Sequence, residues 1–279
     1  MKIGIRLHDT IQGTLRERLA FTKGQGFSCA HLALSKVIDG FKMADAPNRL
    51  AEADFAREIG GAFAQTGMGC AVLGCYLCLA DPDDENRART QEIYRAHLSF
   101  AGKIGAAVVG TETPASPDAR FAADAPQSEE AFRFFLGALK PVVRAAEETG
   151  AILAIEPVWR HIVSTPEKAE RMLEEMKSDH LRIILDAVNL LGPETVAQAD
   201  RIVEDAIRRL GDRVSVLHMK DYRIADGEKE DIACGDGSMR YERLLRFAKE
   251  KDLPMTLENT CPENAEGARL LLEKIAQTV

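Results

Sequence analysis

Four side chains able to do acid, base or ligand chemistry stand at the ends of short apolar runs. Glu156 closes LAIE, Asp186 closes RIILD, Glu258 closes MTLE, and His218 follows VSVL. Runs of this make-up read as buried strands. A charged group at the end of one is costly unless the strand opens into a site. Three carboxylates and one imidazole make a hard, oxygen-rich set with one nitrogen, which suits Mn²⁺, Mg²⁺, Co²⁺ or Zn²⁺. Taken singly, each residue could equally cap a helix, pair with an arginine or sit as a hydrogen-bonded core group. The densest stretch is VSVLHMKDYR at 214–223, where Lys220, Asp221 and Arg223 follow His218. Lys220 lies two residues beyond His218 and so shares its strand face, placed to steer an anionic group or to pair with Glu258.

Convergence of these four ends requires a fold that gathers strand termini. Eight strand candidates alternate with helix candidates: 2–8, 27–34, 70–79, 106–113, 151–157, 181–189, 214–221 and 254–259. The helices are expected over 10–20, 50–67, 81–105, 128–150, 164–179, 193–211, 239–252 and 264–277, with an irregular stretch at 35–48 and a polar loop at 226–238. Start signals include Thr10, the acids at 81–85, Ser128, and Ser164-Thr165-Pro166, while Pro141 is expected to bend or interrupt its helix. The nearly continuous apolar run at 70–79 suits a strand covered on both sides, as in a parallel sheet. Eight such units without a composition break predict a (β/α)8 barrel, one domain over 1–279. A doubly wound sheet is the rival, but no G-x-G-x-x-G follows the first strand. In a barrel the C-terminal strand ends form one rim. The Pro-, Ala- and Asp-rich loop up to Gln127 is long enough to act as a lid or rim.

Further candidates follow from that placement. His8 and His31 stand late in the first two strands. Tyr76 and Trp159 could wall a sugar site with their ring faces. Glu112, ending VGTE, could bind a hydroxyl or a second cation. The formal charge of −8 argues against broad nucleic-acid binding. The six cysteines, including the pair Cys75 and Cys78, read as packing residues rather than a redox or zinc site. With no leader-like start and no apolar run of transmembrane length, a cytoplasmic protein with a small-molecule partner is expected, and a homo-oligomer is compatible with it.

In order and placement, Glu156-Pro157, Leu185-Asp186, the HMKD run at 218–221, Gly235-Asp236-Gly237 and Leu257-Glu258 resemble the motifs of the sugar phosphate isomerase/epimerase family, the xylose-isomerase-like barrel superfamily. The resemblance covers essentially the whole chain. It implies that Glu156, Asp186, His218 and Glu258 ligate one divalent cation, Mn²⁺ before Mg²⁺, Co²⁺ or Zn²⁺. By similarity to ketose 3-epimerases, Glu156 and Glu258 would also exchange protons beside a carbonyl, through a metal-stabilised enediolate. Arg160 matches a family arginine beside the first ligand, and Arg223 lies near a basic residue that holds substrate oxygens. Three features depart from that branch: Asn189 stands where it has a histidine, Ile162 where it has an acid, and Arg223 is one residue closer to His218. The expected activity is isomerisation or epimerisation of a small sugar, sugar phosphate or related hydroxycarbonyl compound. Dehydration of a polyhydroxy ketone, cleavage at abasic sites in DNA, and non-catalytic sugar binding are the alternatives.

Overall fold

A computed structural model describes residues 1–113 and 127–279; the expected lid or rim loop falls largely on 114–126, outside the described residues. Eight parallel strands close into a barrel. They are β1 (Lys2–Arg6), β2 (Cys29–Leu32), β3 (Gly69–Gly74), β4 (Val108–Glu112), β5 (Leu153–Glu156), β6 (Leu181–Asp186), β7 (Val214–Met219) and, after a hairpin of β8 (Asp221–Ala225) and β9 (Glu228–Ile232), β10 (Pro254–Leu257). Around the ring the order is β1-β10-β7-β6-β5-β4-β3-β2.

The helices are α1 (Leu15–Gly24), α2 (Leu34–Val37), α3 (Ala46–Arg49), α4 (Ala53–Thr66), α5 (Asp84–Ile104), α6 (Glu129–Thr149), α7 (Pro166–Met176), α8 (Ala199–Leu210), α9 (Glu242–Lys251) and α10 (Ala265–Ala276). Several begin where short polar side chains satisfy the free amides of the first turn. Asp83 caps α5, Ser128 caps α6, and Thr165 caps α7 ahead of Pro166. The buried residues of α6, such as Phe132, Phe135, Leu139, Val142 and Val143, follow a helical period and turn one stripe toward the sheet.

Several expectations shift. The first helix does not begin at Thr10: Leu7–Asp9 form a 3-10 turn, and α1 starts after Thr14, which makes a reciprocal capping box with Glu17. Pro141 does not interrupt α6. The strand expected over 70–79 ends at Gly74, so Cys75 and Cys78 lie beyond it. All six cysteines are free. The segment 35–48 contains most of α2 and part of α3, and the polar loop at 226–238 contains β9, paired antiparallel to β8. Among the described residues no helix is long and apolar enough to cross a membrane.

The core lies in two layers. The larger fills the space between helices and strands; the smaller, with Cys29, Val72, Ala154, Ile184 and Val216, fills the barrel interior. Side chains alternate along a strand, so the residue two positions after each interior residue also faces inward, nearer the rim. That rule carries Cys29 to His31, Ala154 to Glu156, Ile184 to Asp186, and Val216 to His218 and then Lys220. Register joins these ends side by side: Glu112 is opposite Glu156, Asp186 opposite His218, and Arg6 opposite His31.

Candidate metal and active site

The four strand-end residues meet at the C-terminal mouth of the barrel. Glu156, Asp186 and His218 are each 1% exposed and Glu258 5%. One ligand atom from each of Glu156, Asp186 and His218 lies within 4.8 Å of the others, and the same holds for His31, His218 and Glu258. His218 Nδ1 is 3.0 Å from Glu156 Oε2 and 3.2 Å from Glu258 Oε1. Neither approach has hydrogen-bond alignment, and both ring nitrogens are buried without a bonded partner. Asp186 Oδ1 accepts the amides of Val188 and Asn189 at 2.8 and 3.0 Å. Its Oδ2 is buried with no aligned donor, although Lys220 Nζ lies 3.3 Å away. Orphaned buried polar atoms are rare in folded proteins. Here they converge, and the donor set of carboxylates and imidazole fits a divalent cation.

The electrostatics agree with that fit. Burial raises the carboxyl of Asp186, with Lys220 opposing it and Glu156 and Glu258 adding to it, to about 6. Burial would also raise Glu258, but His218, Arg6 and Lys220 outweigh it and hold the group at about 2. Burial would lower His218, yet Glu156 and Glu258 raise it to about 9. His31, facing fewer acids, is carried well below its usual value by burial, with His218 next. Crowded carboxylates of this kind need positive charge close by.

Lys220 and Asn189, expected to touch substrate, are bound to each other. Lys220 is buried and donates to Asn189 Oδ1 at 2.7 Å; Asn189 Nδ2 donates to Glu156 Oε1 at 2.6 Å. An ammonium cannot accept, so Lys220 fixes which end of the amide faces Glu156. Lys220 also lies 3.1 Å from Asp231 and 3.8 Å from Glu258. Ile162, where the 3-epimerase pattern has an acid, is fully buried in the core.

A cavity of about 270 Å³ opens beside the cluster, lined by Arg6, His8, His31, Tyr76, Glu112 and Glu258 among others. His8 lies in the turn after β1 rather than within the strand. His31 stacks on His218 with ring centroids 5.4 Å apart, and Tyr76 lies 5.7 Å from His31. Gly74 leaves the room: a Cβ there would come within 2.8 Å of both His31 Nε2 and the Tyr76 ring. Glu112 Oε2 lies 3.6 Å from His161 Nδ1. Burial, then Glu156 and Glu258, raise the Glu112 carboxyl to about 8.

Beyond Asn189 a second hollow of about 210 Å³ is lined by Trp159, Arg160, Lys229 and Asp231 as well. A larger one, about 910 Å³, includes Trp159 and Gly192 but none of the four strand-end residues, so its size does not make it the centre of the chemistry. Arg223 joins neither the cluster nor these hollows. It is exposed on the outer hairpin and paired with Glu230 at 2.7 Å, because the turn into β8 carries it away from the barrel axis. Residues not singled out from the sequence also belong here. Arg6 reaches Glu258 at 3.4 Å and Asp9 at 2.8 Å; its alternation with Gly4 on β1 was the available signal. Asp231 and His161 arrive through tertiary placement.

A family model described as xylose isomerase-like TIM barrel matches residues 26–277. A D-psicose 3-epimerase from Enterocloster bolteae is 30% identical over 109 residues, a segment covering 38% of this chain and only 32% of that protein. The solved structure of a 3-keto-D-glucoside 4-epimerase from E. coli superposes with a TM-score of 0.74 at 18% identity, covering 98% of this chain and 99% of that one. Endonuclease IV from Thermus thermophilus superposes with a TM-score of 0.73 at 13% identity, with all of both chains covered. At such identities the structural likeness speaks for the fold.

Proposed function

Because this chain belongs to the xylose isomerase-like TIM barrel family, we propose that it is an isomerase or epimerase of a small sugar or related hydroxycarbonyl compound, dependent on one divalent cation. Glu156, Asp186, His218 and Glu258 would hold the cation, with Mn²⁺ preferred and Mg²⁺, Co²⁺ or Zn²⁺ as alternatives. The carrying observation is the convergence of these four buried ends with unpartnered polar atoms on Asp186 and His218. When bound, such an ion supplies Lewis-acid polarisation of a substrate carbonyl.

The remaining roles fall to the chain itself. Glu258 faces the small cavity and is kept ionised, against its burial, by His218, Arg6 and Lys220, as a base at a carbon next to a carbonyl requires. Glu156, the other residue expected to move protons, is absent from that cavity's lining, and its two oxygens face Asn189 and His218. We assign it to ligation. His8, Tyr76 and Glu112 would contact substrate from the same cavity, and Trp159 and Arg160 would border it from beyond Asn189. A cavity of about 270 Å³ with both acids and bases in its wall suits a small polyhydroxy compound better than a DNA strand.

The direct test is a panel of free and phosphorylated ketoses, inosose-like ketones and abasic DNA. Each is offered with Mn²⁺, Mg²⁺, Co²⁺ or Zn²⁺ to chelator-stripped protein. Metal-restored conversion of a ketose, with solvent deuterium entering beside the carbonyl, is the expected result. Activity on abasic DNA alone would reject the proposal, as would conversion indifferent to chelation.

A further inference from the structure

Resting on the reading above, we infer that the substrate carries an anionic group, a carboxylate or a phosphate, at the end away from its carbonyl, and that Lys36, Ser35 and His8 receive it. The support is an uneven distribution of charge in the wall of the small cavity. Its inner side holds Glu112, ending β4, and Glu258, directly after β10, beside the candidate metal cluster. Its outer side is built by the turn after β1 and by α2, which bring His8, Ser35 and Lys36 to the same space.

Of the two side chains in that wall that are always cationic, Arg6 is already committed: it meets Asp9 at 2.8 Å and Glu258 at 3.4 Å. Lys36 is exposed, and among the described residues its ammonium has no ion-pair or hydrogen-bond partner. The Ser35 hydroxyl is likewise unbonded among the described residues. His8 Nδ1 is buried without a partner. Burial first, then Arg6, with Lys36 adding less, lower His8 to about 4 against the pull of Glu258. The ring is therefore neutral at pH 7 and has one N–H to donate. An ammonium, a hydroxyl and a neutral imidazole at one end of a cavity, with Asp9 turned to Arg6, make a donor-rich corner for a carboxylate or phosphate.

Position links this corner to the chemistry. A carbonyl held on the inner side, where Glu258 reaches the adjacent carbon, leaves the far end of the substrate facing Lys36. Tyr76 and Met43 wall the space as well and pack against the carbon chain. A neutral ketose leaves the Lys36 ammonium in water, which costs nothing; an anionic one gains a charge-assisted contact. Lys36 therefore acts on the choice of substrate, and because it is exposed its replacement leaves the fold intact.

The test compares a free ketose, the same ketose with a terminal phosphate, and its analogue with a terminal carboxylate. Each is assayed with metal-loaded protein and also titrated by calorimetry. One of the anionic compounds is expected to exceed the neutral one in kcat/KM by about 10–100-fold, mainly through KM, as a charge-assisted hydrogen bond allows. Whichever leads identifies the anion. Lys36→Met should collapse that ratio and Lys36→Arg should preserve it. Rising salt should shrink it, as for any exposed charge pair. Arg160, also unpaired among the described residues, lines the separate hollow beyond Asn189, so Arg160→Met should leave the ratio standing. Equal or better turnover of the neutral ketose would overturn the assignment, as would a ratio that survives Lys36→Met or falls in Arg160→Met instead. Should no ketose be converted while the anionic compounds still bind through Lys36, the functional reading falls and the anion site stands; should none bind either, both fall.

Discussion

Lys220, Asn189 and Glu156 form a relay of single residues in which each contact fixes the next. Asn189→Leu keeps the branched shape but removes the donor to Glu156 and the acceptor for Lys220, leaving a buried ammonium short of a partner. Groups that orient metal ligands typically contribute about 10–100-fold in affinity. Titration of stripped protein with Mn²⁺ should show a loss of that size, and unchanged affinity would separate the relay from metal binding. A second residue-scale prediction concerns His97, fully buried in α5, its Nδ1 2.8 Å from the Ile93 carbonyl. Burial lowers its pKa to about 4 against the Ile93 bond. The folded value lies below the unfolded one, so the unfolded chain binds the extra proton between about pH 6.5 and 4, and stability falls as pH falls through that window. His97→Leu should remove about 2 kcal/mol of the stability lost between pH 7 and 4.5, measured by urea unfolding at both pH values. An unaltered pH dependence would count against burial of a neutral imidazole. At this scale the strand-end acids were legible in the sequence, because a charge after an apolar run is conspicuous. That Lys220 and Asn189 serve each other was not, since the two are 31 positions apart and nothing local marks the contact.

At the scale of elements, the eight strands were readable because each is a short aliphatic run between helical periods. The hairpin of β8 and β9 was not: its sequence, with Arg223, Glu228, Lys229, Glu230 and Asp231, has the charge density of a solvated loop. At its base Asp221 gathers the chain that follows it. The Asp221 carboxylate accepts the amides of Tyr222, Gly235, Gly237 and Met239 and the hydroxyl of Tyr241, at 2.7 to 3.1 Å. This gives a physical reason for the Gly235-Asp236-Gly237 motif. A Cβ on Gly237 would lie 2.2 Å from the Tyr222 carbonyl and 2.5 Å from Asp221 Oδ1. Asp221→Ala leaves several donors without their acceptor, and a loss of about 3 kcal/mol is expected from the desolvation of such groups. Loosening should concentrate at 233–241, detectable by hydrogen exchange at those amides. Loss spread evenly through the barrel would show that Asp221 is not a local hub.

At the scale of the whole molecule, closure of the barrel turns four distant sequence positions into one site, and the same closure makes metal binding a folding question. The alternation of strands and helices was enough to expect the barrel, whereas the inward layer of Arg6, His31, Glu112, Glu156, Asp186, His218 and Glu258 depends on register between strands. An unfolded chain cannot assemble that layer, so a cation held there binds the folded state alone. The formal charge of −8 adds a mild general preference for cations but no specificity, which has to come from the site. A cation at 100 times its dissociation constant adds about 2.7 kcal/mol to folding stability. For a chain of this length that corresponds to a rise of roughly 5 °C in Tm. Stripped protein should gain that increment with Mn²⁺ and lose it again with chelator, and Asp186→Asn, which removes one ligand charge and leaves the shape, should abolish most of the gain. A Tm that ignores Mn²⁺, Mg²⁺, Co²⁺ and Zn²⁺ alike would mean that Lys220, Arg6 and His218 already neutralise the carboxylates on their own, and the site would have to work without a cation.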